Sequence, residues 1–292
     1  GKQSFYNLAQ AILDPDDEVI IPVPYWVSYP DMCVLAGAQP VFIYAKASQQ
    51  FKMTPAQLRG AITEQTRLVV INSPSNPSGM GYTLEELEAL GEVLLEHPKI
   101  AIATDDMYEH IRWKDEPFVN ILNACPGLYE RTFVLNGVSK AYSMTGWRIG
   151  YAGGPAEAIK AMTKIQSQST SNPASISQAA ALAALNGPQE CIREMVSAFK
   201  QRHDHVVSRL NAIDGIECIE TDGTFYLFPS AKGLIKRIDG VEDDIALAEH
   251  LITHAGVALV PGTAFGMHNH VRLSIATSMD NLDKALDRIA AV

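Results

Sequence analysis

Short apolar runs alternate with segments of helical period through the first half of the chain. Glu18–Pro22, Pro40–Tyr44, Leu68–Asn72, Ile100–Thr104 and Thr132–Asn136 are rich in branched apolar residues and predict strands, with a further short one at Ile149–Ala152. Between them, Tyr29–Ala36, Pro55–Glu64, Thr83–Glu96 and Pro155–Gln166 read as helices. The chain opens on another helical pattern, with Phe5, Leu8, Ala9 and Ile12 on one face. Thr83 followed by Glu86 predicts a capping box, because each side chain can satisfy the other's free backbone N–H. Strands alternating with helices argue for an α/β unit whose mainly parallel sheet is covered by helices on both faces.

The pattern changes after Gly187-Pro188. A long helix with many charges, Gln189–Ala212, leads to strands at Ile216–Glu220 and Thr224–Phe228. A helix at Asp243–His254, strands at Val257–Val260 and Val271–Ala276, and a last helix at Met279–Ala290 follow. We therefore expect a large domain over 1–188 and a smaller C-terminal α+β domain over 189–292.

Composition narrows the partners. A chain of 292 residues, 47% hydrophobic, suits a soluble protein with a sizeable core. Its net charge of −10 disfavours nucleic acid and anionic membrane surfaces. No apolar run is long enough to span a bilayer, no signal-peptide pattern opens the chain, and Cys33, Cys125, Cys191 and Cys218 are scattered. Reduced thiols and a cytoplasmic location are the resulting expectation. Gly1-Lys2-Gln3-Ser4-Phe5 enters a helix directly, which predicts a further N-terminal segment outside this sequence.

The chemistry gathers at the carboxyl ends of the predicted strands, where open α/β sheets bind their ligands. After the fifth strand comes Gly137-Val138-Ser139-Lys140-Ala141-Tyr142-Ser143-Met144-Thr145-Gly146-Trp147-Arg148-Ile149-Gly150. A lysine in a dry, confined site loses its charge readily, and its amine can then form a Schiff base with a carbonyl. An arginine nearby can clamp a phosphate with its planar fork of donors. Pyridoxal 5′-phosphate (PLP) needs both. A lone Lys/Arg pair more often marks a solvated loop, but the whole stretch resembles, position by position, the PLP-attachment motif of the class I aminotransferases of fold type I.

That resemblance extends over nearly the whole chain, in the family's order. It implies that Lys140 carries the cofactor and is the catalytic base, with Ser139 and Arg148 as further cofactor contacts. In Thr104-Asp105-Asp106-Met107-Tyr108-Glu109, it assigns Asp105 to the pyridine nitrogen and Tyr108 to the ring's phenolic oxygen; an Asp-Asp pair after a strand otherwise serves as a helix cap. In Asn72-Ser73-Pro74-Ser75-Asn76-Pro77-Ser78-Gly79, it assigns Asn76 to the phenolic oxygen and the substrate, where composition alone reads a rigid turn. In Pro24-Tyr25-Trp26-Val27-Ser28-Tyr29, Trp26 would stack on the ring and meet substrate. Gly1 and Lys2 resemble the phosphate-binding turn at a helix N-terminus. In His270-Val271-Arg272-Leu273-Ser274, Arg272 would grip the substrate α-carboxylate. Gly223-Thr224-Phe225-Tyr226 is similar to the family's Gly-Ala-Phe-Tyr strand, with Thr224 in place of alanine.

The resemblance is strongest to the bacterial aspartate aminotransferase branch, some of whose members also accept prephenate. It implies amino-acid and 2-oxo-acid substrates, ping-pong aspartate:2-oxoglutarate transamination and a homodimer with shared sites. A prephenate, aromatic or alanine aminotransferase, a PLP β-lyase, and an inactive fragment or non-catalytic PLP-binding module stay open. His250 and His254 lack a third metal ligand nearby in sequence, His203-Asp204-His205 reads as a solvated helix face, and His268 and His270 read as loop residues. No dinucleotide fingerprint, phosphate loop or hydrolase elbow is present.

Overall fold

The computed structural model describes all 292 residues. In chain order the elements of the first part are α1 (Lys2–Ile12), β1 (Glu18–Val23), α2 (Ser28–Leu35), β2 (Gln39–Tyr44), α3 (Pro55–Ala61), β3 (Thr66–Asn72), α4 (Leu84–Leu95), β4 (Ala101–Asp105), α5 (Ile121–Ala124), β5 (Thr132–Gly137), β6 (Gly150–Gly153), α6 (Ala156–Gln168) and α7 (Ser175–Asn186). The long α8 (Glu190–Asn211) leads to β7 (Tyr226–Leu227), α9 (Lys232–Arg237), α10 (Asp244–His250), β8 (Val260–Pro261), β9 (Val271–Ser274) and α11 (Met279–Ala290).

The main sheet has the order β2-β1-β3-β4-β5-β6; β6 alone runs antiparallel to its neighbour. Alternate residues of the central strands feed two different cores, as a pleated strand requires. Val19, Ile21, Leu68 and Val70 pack with Phe5 and Leu8 of α1 on one face. Ile20, Val69 and Ile71 pack with Leu58 of α3 and Leu87 and Leu90 of α4 on the other. Burial on both faces explains why these strands read as unbroken apolar runs. The predicted capping box forms: Glu86 N donates to Thr83 Oγ1 at 3.2 Å and Thr83 N to Glu86 Oε2 at 2.9 Å. No helix is long and apolar enough to cross a membrane.

In the C-terminal part, β7, β9 and β8 make a small antiparallel sheet against α8, α10 and α11. Several expectations change here. Ile216–Glu220 forms no strand, only a single-residue bridge from Glu217 to Ser230. Side chains of α8 take backbone groups in and just after this segment instead: Asn211 bonds both N–H and C=O of Cys218, at 2.8 and 2.9 Å, and His203 accepts from Thr221 N at 3.0 Å. His203 is accordingly buried at 2% exposure, not on a solvated face. Its Nε2 accepts a backbone proton, so the ring proton sits on Nδ1 and is donated to Asp204. The expected Val257–Val260 strand shrinks to Val260–Pro261, and the helix expected through His254 gives way to a wider π turn at Leu251–Ala255. Along the whole chain, the helices that the sequence pattern does not predict are α5, α7 and α9. Helix α7 reads Ser-Ile-Ser-Gln-Ala-Ala-Ala-Leu-Ala-Ala-Leu-Asn, with no polar stripe to set a period, and leaves Ile176, Leu182 and Leu185 exposed.

Candidate active site

Strands β3 and β4 end in register, so Asn72 lies beside Asp105 at the carboxyl edge of the sheet. Asn72 ties that edge together: its Nδ2 donates to the Asp105 carbonyl at 2.9 Å and its Oδ1 accepts from Asn76 N at 2.8 Å. Asn76 Oδ1 in turn accepts from the Arg272 guanidinium at 3.0 Å. That guanidinium lies over the rings of Tyr226 (4.3 Å) and Phe265 (4.8 Å), arriving from β9 on the opposite side of the cleft.

The turn that carries Asn76 is clamped from far along the chain. Gly81 N donates to Asp222 Oδ2 at 2.9 Å, and the backbone N–H groups of Asp222 and Gly223 both donate to Gly79 O at 3.0 Å. Gly79 has φ +72, and a Cβ there would fall 2.8 Å from Thr221, so only glycine admits this closure. Thr224 sits at φ 66 with a branched side chain, an uncommon conformation. Its hydroxyl accepts from Tyr226 N at 3.1 Å, which fixes the direction of the Phe225-Tyr226 step.

Lys140 lies in the turn after β5, its Nζ 5.5 Å from the Phe225 ring centroid. Burial, then the Arg272 and Arg148 cations, hold its amine below the usual lysine range. The Asp105 carboxyl faces the same space, with Oδ2 accepting from Tyr29 OH at 2.5 Å and Oδ1 from Met107 N at 3.2 Å. Protein atoms crowd this carboxyl although it keeps some surface towards the cavity; their enclosure raises its pKa, and the Tyr29 hydrogen bond pulls it back. Burial, with Tyr226 alongside, lifts the Tyr108 phenol well above its ordinary value. Trp26 stands edge-on to Tyr29 at 5.1 Å, with Lys2 Nζ 5.2 Å from its ring centroid. Gly1 caps α1, whose free N–H groups open on this space. A Cβ on Gly150 would fall 1.8 Å from Gly1 N, so glycine is required where β6 meets this helix end. Arg148, at φ 56, uses one donor on Thr145 O at 2.8 Å.

All ten residues singled out in the sequence line one cavity of ≈ 380 Å³: Gly1, Lys2, Trp26, Asn76, Asp105, Tyr108, Ser139, Lys140, Arg148 and Arg272. Gly1, Lys2, Ser139 and Arg148 also line an adjoining space of ≈ 260 Å³. A larger groove of ≈ 820 Å³, between residues 62–67 and 96–100, gathers no comparable chemistry, so convergence of function rather than size selects the site. Sequence reasoning gave no role to Asn72, Tyr29 or Tyr226. Each stands inside a motif already quoted, but its partner lies far away in the chain, and no local pattern marks such a pair.

Residues 2–289 match the family Aminotransferase class I and II. The chain belongs to this family. An aspartate/prephenate aminotransferase of Nitrosomonas europaea is 57% identical over 297 residues, covering 100% of this chain and 75% of that one. An aspartate aminotransferase of Bacillus subtilis is 50% identical over 289 residues, covering 99% and 73%. Among solved structures, the aspartate aminotransferase of Rhizobium meliloti superposes with a TM-score of 0.95 at 50% identity, covering 99% of this chain and 74% of its own. The Thermus thermophilus aspartate aminotransferase with maleate gives 0.90 at 44%, covering 99% and 73%. The fold is thus PLP-dependent fold type I, and this aminotransferase uses PLP with amino-acid and 2-oxo-acid substrates. The side chains present suit that cofactor: a carboxylate for a pyridinium, an amine of lowered basicity for an aldehyde, and a helix N-terminus with an arginine for a phosphate.

The neighbouring Asp106 belongs to the scaffold of this aminotransferase. It is buried, bonded by Thr104 Oγ1 (2.7 Å) and Asn120 Nδ2 (2.8 Å), and burial pushes its carboxyl up to about 7. The folded carboxyl therefore keeps its proton to higher pH than the unfolded one, whose ordinary value is 3.8. Folded protein binds more protons across that window, so stability falls as pH rises from about 4 to 7. Asp106→Asn can keep both hydrogen bonds, because the Thr104 hydroxyl also accepts. The variant is expected to gain roughly 1–3 kcal/mol over wild type at pH 8 and little at pH 4. Urea unfolding at the two pH values checks this; an equal gain at both would sink the argument.

Proposed function

We propose that this aminotransferase exchanges an amino group between aspartate and 2-oxoglutarate by a ping-pong mechanism. The observation that carries the reading is the convergence of Lys140, Asp105 and Arg272 on one cavity. PLP, when bound, supplies an aldehyde to capture the amino group and a conjugated ring to absorb the electron pair left at Cα. Asp105 would keep a proton on the ring nitrogen, and Tyr108 and Asn76 would face the ring's phenolic oxygen. Trp26 would cover the ring face, while Gly1, Lys2, Ser139 and Arg148 would surround the phosphate. Arg272 would fix the substrate α-carboxylate with two parallel N–H donors. Trp26 and Asn76 would also touch the substrate. Lys140 Nζ would bond the cofactor aldehyde at rest, then take the proton from the substrate Cα and return it on the cofactor side as base and acid in turn.

Prephenate as a further substrate is a second reading, favoured by the name of the Nitrosomonas europaea relative. The exposed apolar residues Ile176, Leu182 and Leu185 of α7 support a homodimer. Four free cysteines are consistent with a cytoplasmic location. The division at 188/189, just before α8, is our proposed boundary between the large and small domains.

The test is the visible spectrum of the chain with added PLP, before and after aspartate, followed by borohydride reduction and peptide mapping. A yellow band that bleaches with aspartate, with the trapped cofactor on Lys140, is expected. A label on another lysine would refute the assignment of Lys140, and bleaching by alanine or an aromatic amino acid but not by aspartate would refute the substrate.

A further inference from the structure

Tyr29 is 1% exposed on α2, its ring tilted against Phe5 at 4.9 Å and meeting Trp26 edge-on at 5.1 Å. Those contacts leave one polar atom, the phenol oxygen, and it meets Asp105 Oδ2 at 2.5 Å. Met107 N meets the other oxygen, Oδ1, at 3.2 Å. The final torsion of an aspartate is soft, so an unrestrained carboxylate at a strand end would present a varying edge to the cavity. One donor on each oxygen fixes the plane. An ionised carboxylate offers about four lone-pair sites, so two donors leave capacity for a third partner. A donor to the charged form also favours that form, which counters the enclosure of Asp105. Enclosure and the nearby carboxylate keep the Tyr29 phenol protonated, so it stays a donor throughout the neutral range.

We propose that Tyr29 is a positioning residue for the cofactor nitrogen: its hydroxyl fixes the plane of the Asp105 carboxylate and keeps that carboxylate ionised where the pyridine nitrogen is to sit. This rests on the assignment of Asp105 under Proposed function. Tyr29 touches neither the cofactor nor the substrate in this scheme; it acts through Asp105.

The test is a double-mutant cycle of Tyr29→Phe and Asp105→Asn on the full chain, read as PLP affinity by quenching of tryptophan fluorescence. It is joined to a carboxyl-carbon NMR titration of Asp105 in the cofactor-free protein, assigned by the signal that Asp105→Asn removes. Tyr29→Phe keeps the ring against Phe5 and Trp26, and circular dichroism confirms its fold. The variant is expected to weaken PLP binding by roughly 10–100-fold, the range for one hydrogen bond to a charged group. It should also raise the Asp105 titration midpoint and lower kcat with little change in KM, since the amino donor docks at Arg272. In the Asp105→Asn background the same change should move affinity by less than about twofold. Equal losses in both backgrounds, or wild-type affinity in Tyr29→Phe, would overturn the proposal by reducing Tyr29 to packing. A wild-type Asp105 midpoint above about 8 would overturn it without any variant. Failure of the wild-type chain to bind PLP at all would instead remove the assignment of Asp105 on which the proposal stands.

Discussion

Lys140→Ala is expected to abolish transamination while leaving the fold and non-covalent PLP binding in place. The side chain is only partly buried and makes no ion pair, so its removal costs little packing. Loss of the base alone lowers kcat by roughly 10²–10⁴-fold, and loss of the covalent resting bond adds to that. Borohydride should then trap no cofactor on the 137–150 turn. Lys140→Arg should fail as badly, because a guanidinium stays protonated at every working pH and can neither attack a carbonyl nor accept a proton. Turnover of either variant within tenfold of wild type would mean that another group moves the proton. In the wild type, burial and two arginines depress the Lys140 amine. The neutral, reactive form is therefore present at lower pH than for a free lysine.

Arg272→Leu is expected to reduce kcat/KM for aspartate by roughly 30–5,000-fold, equivalent to about 2–5 kcal/mol for truncating one side of a hydrogen-bonded charge pair. Arg272→Lys should fall between, since it keeps the charge and loses the planar fork that matches a carboxylate. A second effect follows from charge. Removing the Arg272 cation relieves one cause of the depressed Lys140 amine, so its pKa rises towards 10.5. The Lys140 amine of the cofactor-free protein should accordingly titrate at higher pH in Arg272→Leu and stay nearly in place in Arg272→Lys. The pH dependence of its reaction with an amine-directed reagent reads this effect, and steady-state rates read the first. An unchanged titration in Arg272→Leu would remove Arg272 from the surroundings of Lys140.

The main sheet was legible because each of its five parallel strands carries a short apolar run, and local patterning is strongest in the central strands, where both faces are buried. The C-terminal part was less so. Ile216–Glu220 has the composition of a strand, but Asn211 of α8 takes both backbone groups of Cys218 and His203 takes the N–H of the following Thr221, and no local signal reports a side chain arriving from another helix. Helix α7 has too little amphipathic contrast to show a period. At the site, Lys140, Asp105, Asn76 and Arg272 were found through motif resemblance, and the structure brings them into one cavity. Tyr29 escaped because its meaning lies in a hydrogen bond to a residue 76 positions away. Asn72 ends its strand as the pattern predicts, but no local signal marks its bond to the Asp105 carbonyl, which links two strand ends and through Asn76 the turn.

The clamp of Asp222 and Gly223 on the Gly79–Gly81 turn also bears on how the molecule reaches its working form. The Gly81–Asp222 bond joins residues 141 apart in sequence, and the two bonds to Gly79 O span slightly more, so they form only after a long loop has closed. The parallel sheet can collapse around Ile20, Val69 and Ile102 while the Asn76 turn is still loose, since none of those contacts involves the clamp. Competence to bind ligand should therefore lag behind compaction during refolding. A nascent chain emerging from the ribosome would hold most of its first core yet stay inert until residues beyond 223 had been made.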